Sequence, residues 1–178
     1  LKTSSNHFPF NSVPPSRRFV YPDPPGIPKG IRQHYANSIY LTDYGISVFF
    51  DELKKRNELD NSLIIITSDH AFPLGEHGNF NLESGYHEES FRLPLFVFWQ
   101  GKLSAQRIDR ASSQLDIAPT ILDLLSIKGQ KTVFQGQSIF SEISSPIPLI
   151  QPYVKHLSII RYPFKYRYNT RAKQEFLY

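Results

Sequence analysis

Apolar side chains recur at helical spacing between residues 35 and 57, where Ile39, Ile46, Phe49, Phe50 and Leu53 alternate with the polar set Asp51, Glu52, Lys54, Lys55 and Arg56. That period predicts an amphipathic helix over Tyr35–Asn57. After a turn at Asp60-Asn61 the pattern changes to a continuous, β-branched run, residues 63–67, of the kind found in strands covered on both faces. Helix, turn and apolar strand in that order point to a parallel α/β sheet. From Ser68 to Ser90 neither period holds, so this polar stretch loops out from the strand's C-terminal end, the edge at which open α/β sheets bind ligands.

The pattern resumes at Leu95–Trp99, a second strand between Pro94 and Gln100-Gly101. Asp116 precedes Ile117, Ile121, Leu124 and Leu125 with Pro119 in the first turn, which predicts a second helix capped by Asp116 and stopping near Gly129. A Ser/Pro-rich link, Ser141–Pro152, leads into Ser158–Tyr178, where aromatic and basic residues alternate about Asn169-Thr170 as in an antiparallel hairpin. Near the start, Pro14, Pro15, Pro22, Pro24, Pro25 and Pro28 preclude regular structure and dictate a long surface loop. The expected organisation is an α/β part over residues 1–140, then a linker and hairpin over 141–178.

Composition narrows the class. With 178 residues, 40% hydrophobic and 20% charged, the chain can bury a core and lies far from the signature of disorder. No apolar run approaches the roughly 20 residues of a membrane-spanning helix. Cysteine is absent, which excludes disulfides, thiolate metal sites and a cysteine nucleophile within these residues. Methionine is absent too, and a chain opening at Leu1 without a signal pattern reads as a fragment. The excess positive charge lies in residues 151–178, where Lys155, Arg161, Lys165, Arg167, Arg171 and Lys173 face only Glu175. The simplest reading is a solvated strand face, and the other is attraction to a phosphate-rich partner.

Candidate chemistry gathers in the loop. Asp69 and His70 follow the first strand directly, where a carboxylate and an imidazole can both turn toward a divalent cation; a turn carboxylate beside a surface histidine fits the same dipeptide. His77 lies between glycines in Gly75-Glu76-His77-Gly78, and His87 precedes Glu88-Glu89; each is either a contact for an anionic substrate or a surface group. His7 sits in the proline-stiffened Asn6-His7-Phe8-Pro9-Phe10. Adjacent Glu88 and Glu89 point apart in an extended segment and make a poor acid/base pair. No Gly-rich phosphate loop and no Gly-x-Ser-x-Gly elbow occurs, which removes the commonest NTPase and α/β-hydrolase readings.

Taken in order, Asn6–Phe10, Tyr35–Asp43, Asp60–His70, Leu74–Gly78, Glu88–Leu95 and Leu115–Thr120 resemble the sulfatase family over about residues 5–127. The resemblance implies an alkaline-phosphatase-like α/β fold, with a central, mostly parallel sheet flanked by helices and a C-terminal antiparallel hairpin. It places Asp69 and His70 on the second pair of ligands to one divalent cation (calcium, magnesium, manganese or zinc) and His7 on a residue contacting the sulfate or phosphate group. His77 falls in the loop closing over substrate, as a candidate donor of a proton to the leaving alcohol. The nucleophile, a formylglycine in sulfatases or a threonine in phospho-head-group transferases, and the first ligand pair lie upstream of these residues. The N-terminal half of the domain is therefore expected to be absent, and this C-terminal portion to be inactive alone.

Two departures bear on substrate. Ala71 stands where the family usually has glycine, and no lysine occurs between Asn79 and Tyr86, so His77 or His87 would serve in its place. The function implied first is metal-dependent hydrolysis of sulfate esters. The alternatives are a membrane-anchored phosphoglycerol or phosphoethanolamine transferase and a non-catalytic binding domain. Expected partners are anionic small molecules, glycans or lipid head groups, without nucleic acid. Export, or membrane attachment through an upstream segment, goes with the family.

Overall fold

The structure, a computed structural model, describes residues 6–19, 30–80, 87–128, 133–142, 146–150 and 156–178. The chain divides into two compact units, Leu1–Ser104 and Ala105–Tyr178.

In the first unit, helix α1 runs over Ile31–Lys55 from Gly30, whose φ of 89° is open to glycine without a Cβ penalty. It starts four residues earlier than the apolar period indicates. Along it, Ile46, Phe50 and Leu53 are partly covered, and the Phe50 ring meets Phe98 edge-on at 5.1 Å. Ile39 and Phe49, expected on the covered side, are exposed, whereas Asn37 and Ser38 are buried. The reason is the neighbour. That wall of the helix faces the segment 6–19, whose irregular backbone needs polar partners. Asn37 Oδ1 accepts from Phe19 N at 2.6 Å, and Thr42 Oγ1 donates to Asn6 Oδ1 at 3.1 Å.

Strands β1 (Leu63–Thr67) and β2 (Leu95–Trp99) occupy the predicted residues. They pair antiparallel, from Leu63↔Trp99 to Thr67↔Leu95. The parallel arrangement expected for this run is not the one these two strands adopt. A parallel return requires a crossover, usually a helix, and the described residues between them contain only short 3-10 turns, so the chain comes straight back beside β1. Nor is the pair covered on both faces, since only Ile64 is buried in β1 and Phe96 of β2 is 62% exposed.

In the second unit, helix α2 (Ile117–Leu124) is preceded by a 3-10 turn, Gln114–Asp116. Asp116 holds the N-cap position of α2 as predicted, but its side chain caps no α2 amide, and the side-chain cap lies one turn earlier, at Ser113. Ser113 Oγ accepts from Leu115 N at 3.2 Å and Asp116 Oδ2 accepts from Ser113 N at 2.8 Å, a reciprocal capping box. Buried Asp116 also accepts from Gln137 N at 2.8 Å, and Thr120 Oγ1 from Ile139 N at 3.0 Å, which straps residues 137–139 onto the helix. Gly129, the predicted stop, lies outside the described residues.

The remainder is an antiparallel sheet of four strands in the order β3 (Ile147–Ile150), β4 (His156–Arg161), β5 (Phe164–Asn169) and β6 (Gln174–Leu177). The C-terminal hairpin is present as β5–β6, and its turn is held by Asn169 Oδ1, which accepts from Arg171 N and Ala172 N. Part of the expected Ser/Pro link is strand β3. Pro148 is tolerated there because β3 is an edge strand. Arg167, read as part of a solvated basic face, is only 6% exposed; its guanidinium lies 4.1 Å above the ring of its cross-strand neighbour Phe176.

Two outcomes follow for stability. A Cβ added to Gly136 would sit 2.2 Å from Leu115 O, so Gly136→Ala forces the backbone strap off α2 and is expected to cost about 1–3 kcal/mol in chemical denaturation. His156 is held below its ordinary 6.5 by burial first and by the Arg167 charge second. The unfolded chain therefore takes up this proton at higher pH than the folded one, and stability is full above 6.5 and falls as the pH drops through it to the lower folded value. Denaturation between pH 8 and 5 should show this loss in the wild type and a flatter profile in His156→Gln.

Candidate functional site

The loop leaving β1 is ordered by hydrogen bonds that its own sequence supplies. His70 N donates to Asp69 Oδ1 at 3.1 Å, and His70 Nδ1 lies 2.9 Å from Ala71 O. A carbonyl only accepts, so Nδ1 carries the hydrogen and Nε2 keeps its lone pair. Both residues are exposed at the end of the strand. This donor set, one carboxylate and one imidazole nitrogen, suits two positions on a divalent cation. No group of three or more His, Cys, Asp or Glu able to hold a metal occurs among the described residues.

The residues after His70 anchor the loop. Phe72 stacks on Phe8 at 5.5 Å and meets Phe10 edge-on at 5.3 Å, while Phe10 in turn packs edge-on against Tyr35 of α1 at 5.2 Å. Aromatic pairing thus joins the segment holding His7 to the segment following Asp69-His70. His7 itself is exposed, with Nδ1 2.7 Å from Phe8 O. Farther along, Arg32 Nε donates to Leu74 O at 3.3 Å, its guanidinium lies 3.6 Å from Glu76, and Glu76 accepts from Leu74 N at 2.6 Å.

The stretch 75–79 closes on itself through Gly75 N to Asn79 O at 2.9 Å and Gly78 N to Gly75 O at 3.1 Å. A Cβ on Gly75, at φ 103°, would lie 2.6 Å from the Phe80 ring, so only glycine fits. His77, within this turn, takes φ 51°, a left-handed conformation uncommon for a residue with a side chain. Its Nδ1 lies 2.9 Å from Glu89 Oε1, and its ring stacks on His87 at 3.9 Å with 5° between planes. The Glu89 side chain is 16% exposed and that of His77 58%. Burial alone would raise the Glu89 carboxyl, but the His77 hydrogen bond, a backbone hydrogen bond and the nearby imidazoles outweigh it and bring it below the ordinary 4.5.

Of the residues singled out in the sequence, His77 and His87 come together, and His7 and His70 lie on segments tied through Phe8 and Phe72. Glu88–Ser90 is a 3-10 turn after His87, not the extended stretch expected, and Glu89 Oε1 lies against His77 Nδ1. Phe72 and Arg32 carried no chemical signature, and the one clue was the bulky Phe72-Pro73 pair in place of a flexible loop start.

Comparison with known proteins identifies the fold and the family. A structure of an alkaline phosphatase superfamily protein from Vibrio parahaemolyticus aligns with TM-score 0.70 and 18% identity, over 98% of this chain and 42% of that one. The fold is thus the alkaline-phosphatase-like α/β class. The sulfatase family profile matches residues 1–127, and the chain belongs to the sulfatase family. It is 36% identical to an N-acetylglucosamine-6-O-sulfatase of Bacteroides thetaiotaomicron over 106 residues, 59% of this chain and 19% of that protein. It is 28% identical to lipoteichoic acid synthase 2 of Bacillus subtilis over 149 residues, 79% of this chain and 22% of that protein. The chain spans about a fifth of the length of these curated relatives. No helix among the described residues is long and apolar enough to cross a membrane.

Phe72→Ala removes two aromatic pairs worth about 0.5–1.5 kcal/mol each, so it should destabilise the chain by about 1–3 kcal/mol. Hydrogen exchange at the Phe10 amide, bonded to His7 O at 2.8 Å, should quicken in parallel. Unchanged exchange would show that Phe72 does not hold the His7 segment.

Proposed function

We propose that the chain is the C-terminal portion of the catalytic domain of a metal-dependent sulfate-ester hydrolase. The observation that carries the reading is the disposition of Asp69 and His70: directly after β1, with His70 Nδ1 committed to Ala71 O and Nε2 left as a ligand nitrogen. These two residues hold one divalent cation together with ligands from outside this chain. When bound, such a cation polarises the ester oxygens and favours attack by the nucleophile. His7 pairs with the transferring group through its outward nitrogen, His77 passes a proton to the leaving alcohol, and His87 lines the same side. The nucleophile, a formylglycine in this reading, lies outside the chain, and the chain alone does not turn over.

A second reading has specific support. The lipoteichoic acid synthase matches 79% of the chain against 59% for the N-acetylglucosamine-6-O-sulfatase, and the segment 79–86 has no lysine for a sulfate. In that reading the same metal pair serves transfer of a phospho-head group from an anionic lipid or glycan donor, and export or membrane attachment belongs with it.

Protein purified from its source, assayed on aryl sulfate and aryl phosphate esters with each of Ca²⁺, Mg²⁺, Mn²⁺ and Zn²⁺, separates the two. Sulfate release that chelation abolishes and Asp69→Asn lowers by about 10²-fold or more is the expected result. Phosphate release alone would favour the transferase, and turnover unaffected by chelator and by Asp69→Asn would overturn both. The 178-residue chain, assayed beside it, should show none.

A further inference from the structure

We propose that Glu89 is a positioning residue: its half-buried carboxylate fixes His77 as the Nδ1–H form, so that Nε2 is the atom that exchanges protons with the substrate. The inference deepens the role given to His77 above and rests on that reading.

Five observations converge on it. The carboxylate is 16% exposed and the imidazole 58%, so the acceptor is held inside the loop while the ring stands at the surface. An ionised carboxylate has no hydrogen to offer, so the 2.9 Å contact requires His77 Nδ1 to donate. The His87 ring, parallel at 3.9 Å, covers one face of His77 and leaves rotation about the ring's long axis little room. Nε2 has no hydrogen-bond partner among the described residues. The backbone is bent to this end: His77 takes φ 51° between Gly75 and Gly78, both also at positive φ, and strain of this kind gathers at sites where geometry is put to use.

The proton balance is simple. With a hydrogen on each nitrogen, the ring donates Nδ1–H to Glu89 and offers Nε2–H to the substrate. As the ester bond to the leaving oxygen breaks, the Nε2–H bond breaks and an O–H bond forms on the alkoxide. His77 is left neutral, with Nδ1–H still on Glu89, and Glu89 takes no proton. Water on the outward side restores the Nε2 hydrogen. Without Glu89 the neutral ring can place its hydrogen on either nitrogen, and part of the population presents the wrong one.

Long-range ¹H–¹⁵N spectra of the ¹⁵N-labelled 178-residue chain, taken at alkaline pH where imidazoles are neutral, read the tautomer directly. His77 should show a protonated Nδ1 and a bare Nε2. Glu89→Ala should lose this single-tautomer signature, and Glu89→Asp should restore part of it, which a purely structural tether would not do. A wild-type His77 bearing its hydrogen on Nε2, or an unchanged Nδ1–H form in Glu89→Ala, would overturn the proposal. Should Glu89→Ala fail to fold, ¹³C titration of Glu89 in His77→Ala decides: the carboxyl should move up from its lowered value, and no movement would show that the two residues are not coupled. None of these readouts needs turnover. A protein inactive on both ester classes would remove the hydrolase reading and leave the dyad standing, while the wrong tautomer would remove the dyad alone.

Discussion

The antiparallel ladder between β1 and β2 is the constraint on which the candidate site depends. It brings Thr67 and Leu95 side by side, and so fixes both ends of everything between them, from Asp69 to Glu89. Closing a loop of that length costs only slowly increasing entropy, but ordering its interior costs far more, and the loop meets that cost locally. Glu76 bonds Leu74 and the arginine of α1, Gly75 bonds Asn79, and Glu89 reaches back across the loop to His77. The ladder supplies the frame, and these short-range bonds divide it into smaller closed pieces.

A single chemical device recurs at His7, His70 and His77. Each has Nδ1 within 2.9 Å of an oxygen, on Phe8 O, Ala71 O and Glu89 respectively. An acceptor at Nδ1 turns a tautomerically ambiguous ring into one with a defined face, its Nε2 lone pair directed away from the backbone. The two backbone carbonyls do this without charge, which suits a neutral ligand or anion contact. Glu89 is instead a side-chain acceptor carried on a separate 3-10 turn. The difference in acceptor separates the part proposed for His77 from those proposed for the other two.

Much of this was legible in the sequence, because it rests on local rules. The apolar run 63–67 and the segment 95–99 could be little other than strands, and the glycines around His77 announced an irregular backbone. What sequence periodicity could not carry was direction and partnership. Antiparallel pairing of β1 with β2 depends on what lies in the intervening loop, not on either strand. Asn37 is buried with its side chain bonded to the Phe19 amide, a demand made by a segment outside the helix, while buried Ser38 turns its hydroxyl onto Tyr35 O of its own helix. Around Glu89 the neighbours suggest an extended chain, and the 3-10 turn over Glu88–Ser90 is what they do not reveal. Arg167 looked like surface charge until the Phe176 ring came over it from the next strand.

The four-stranded sheet has two unlike borders. On the β3 side, Pro148 lacks the amide hydrogen that a further strand would have to meet, whereas β6 on the other side has no such block along Gln174–Leu177. Among the described residues the two borders of this sheet therefore differ in the backbone hydrogens they can offer, and the difference comes from a residue that sequence inspection assigns to a linker.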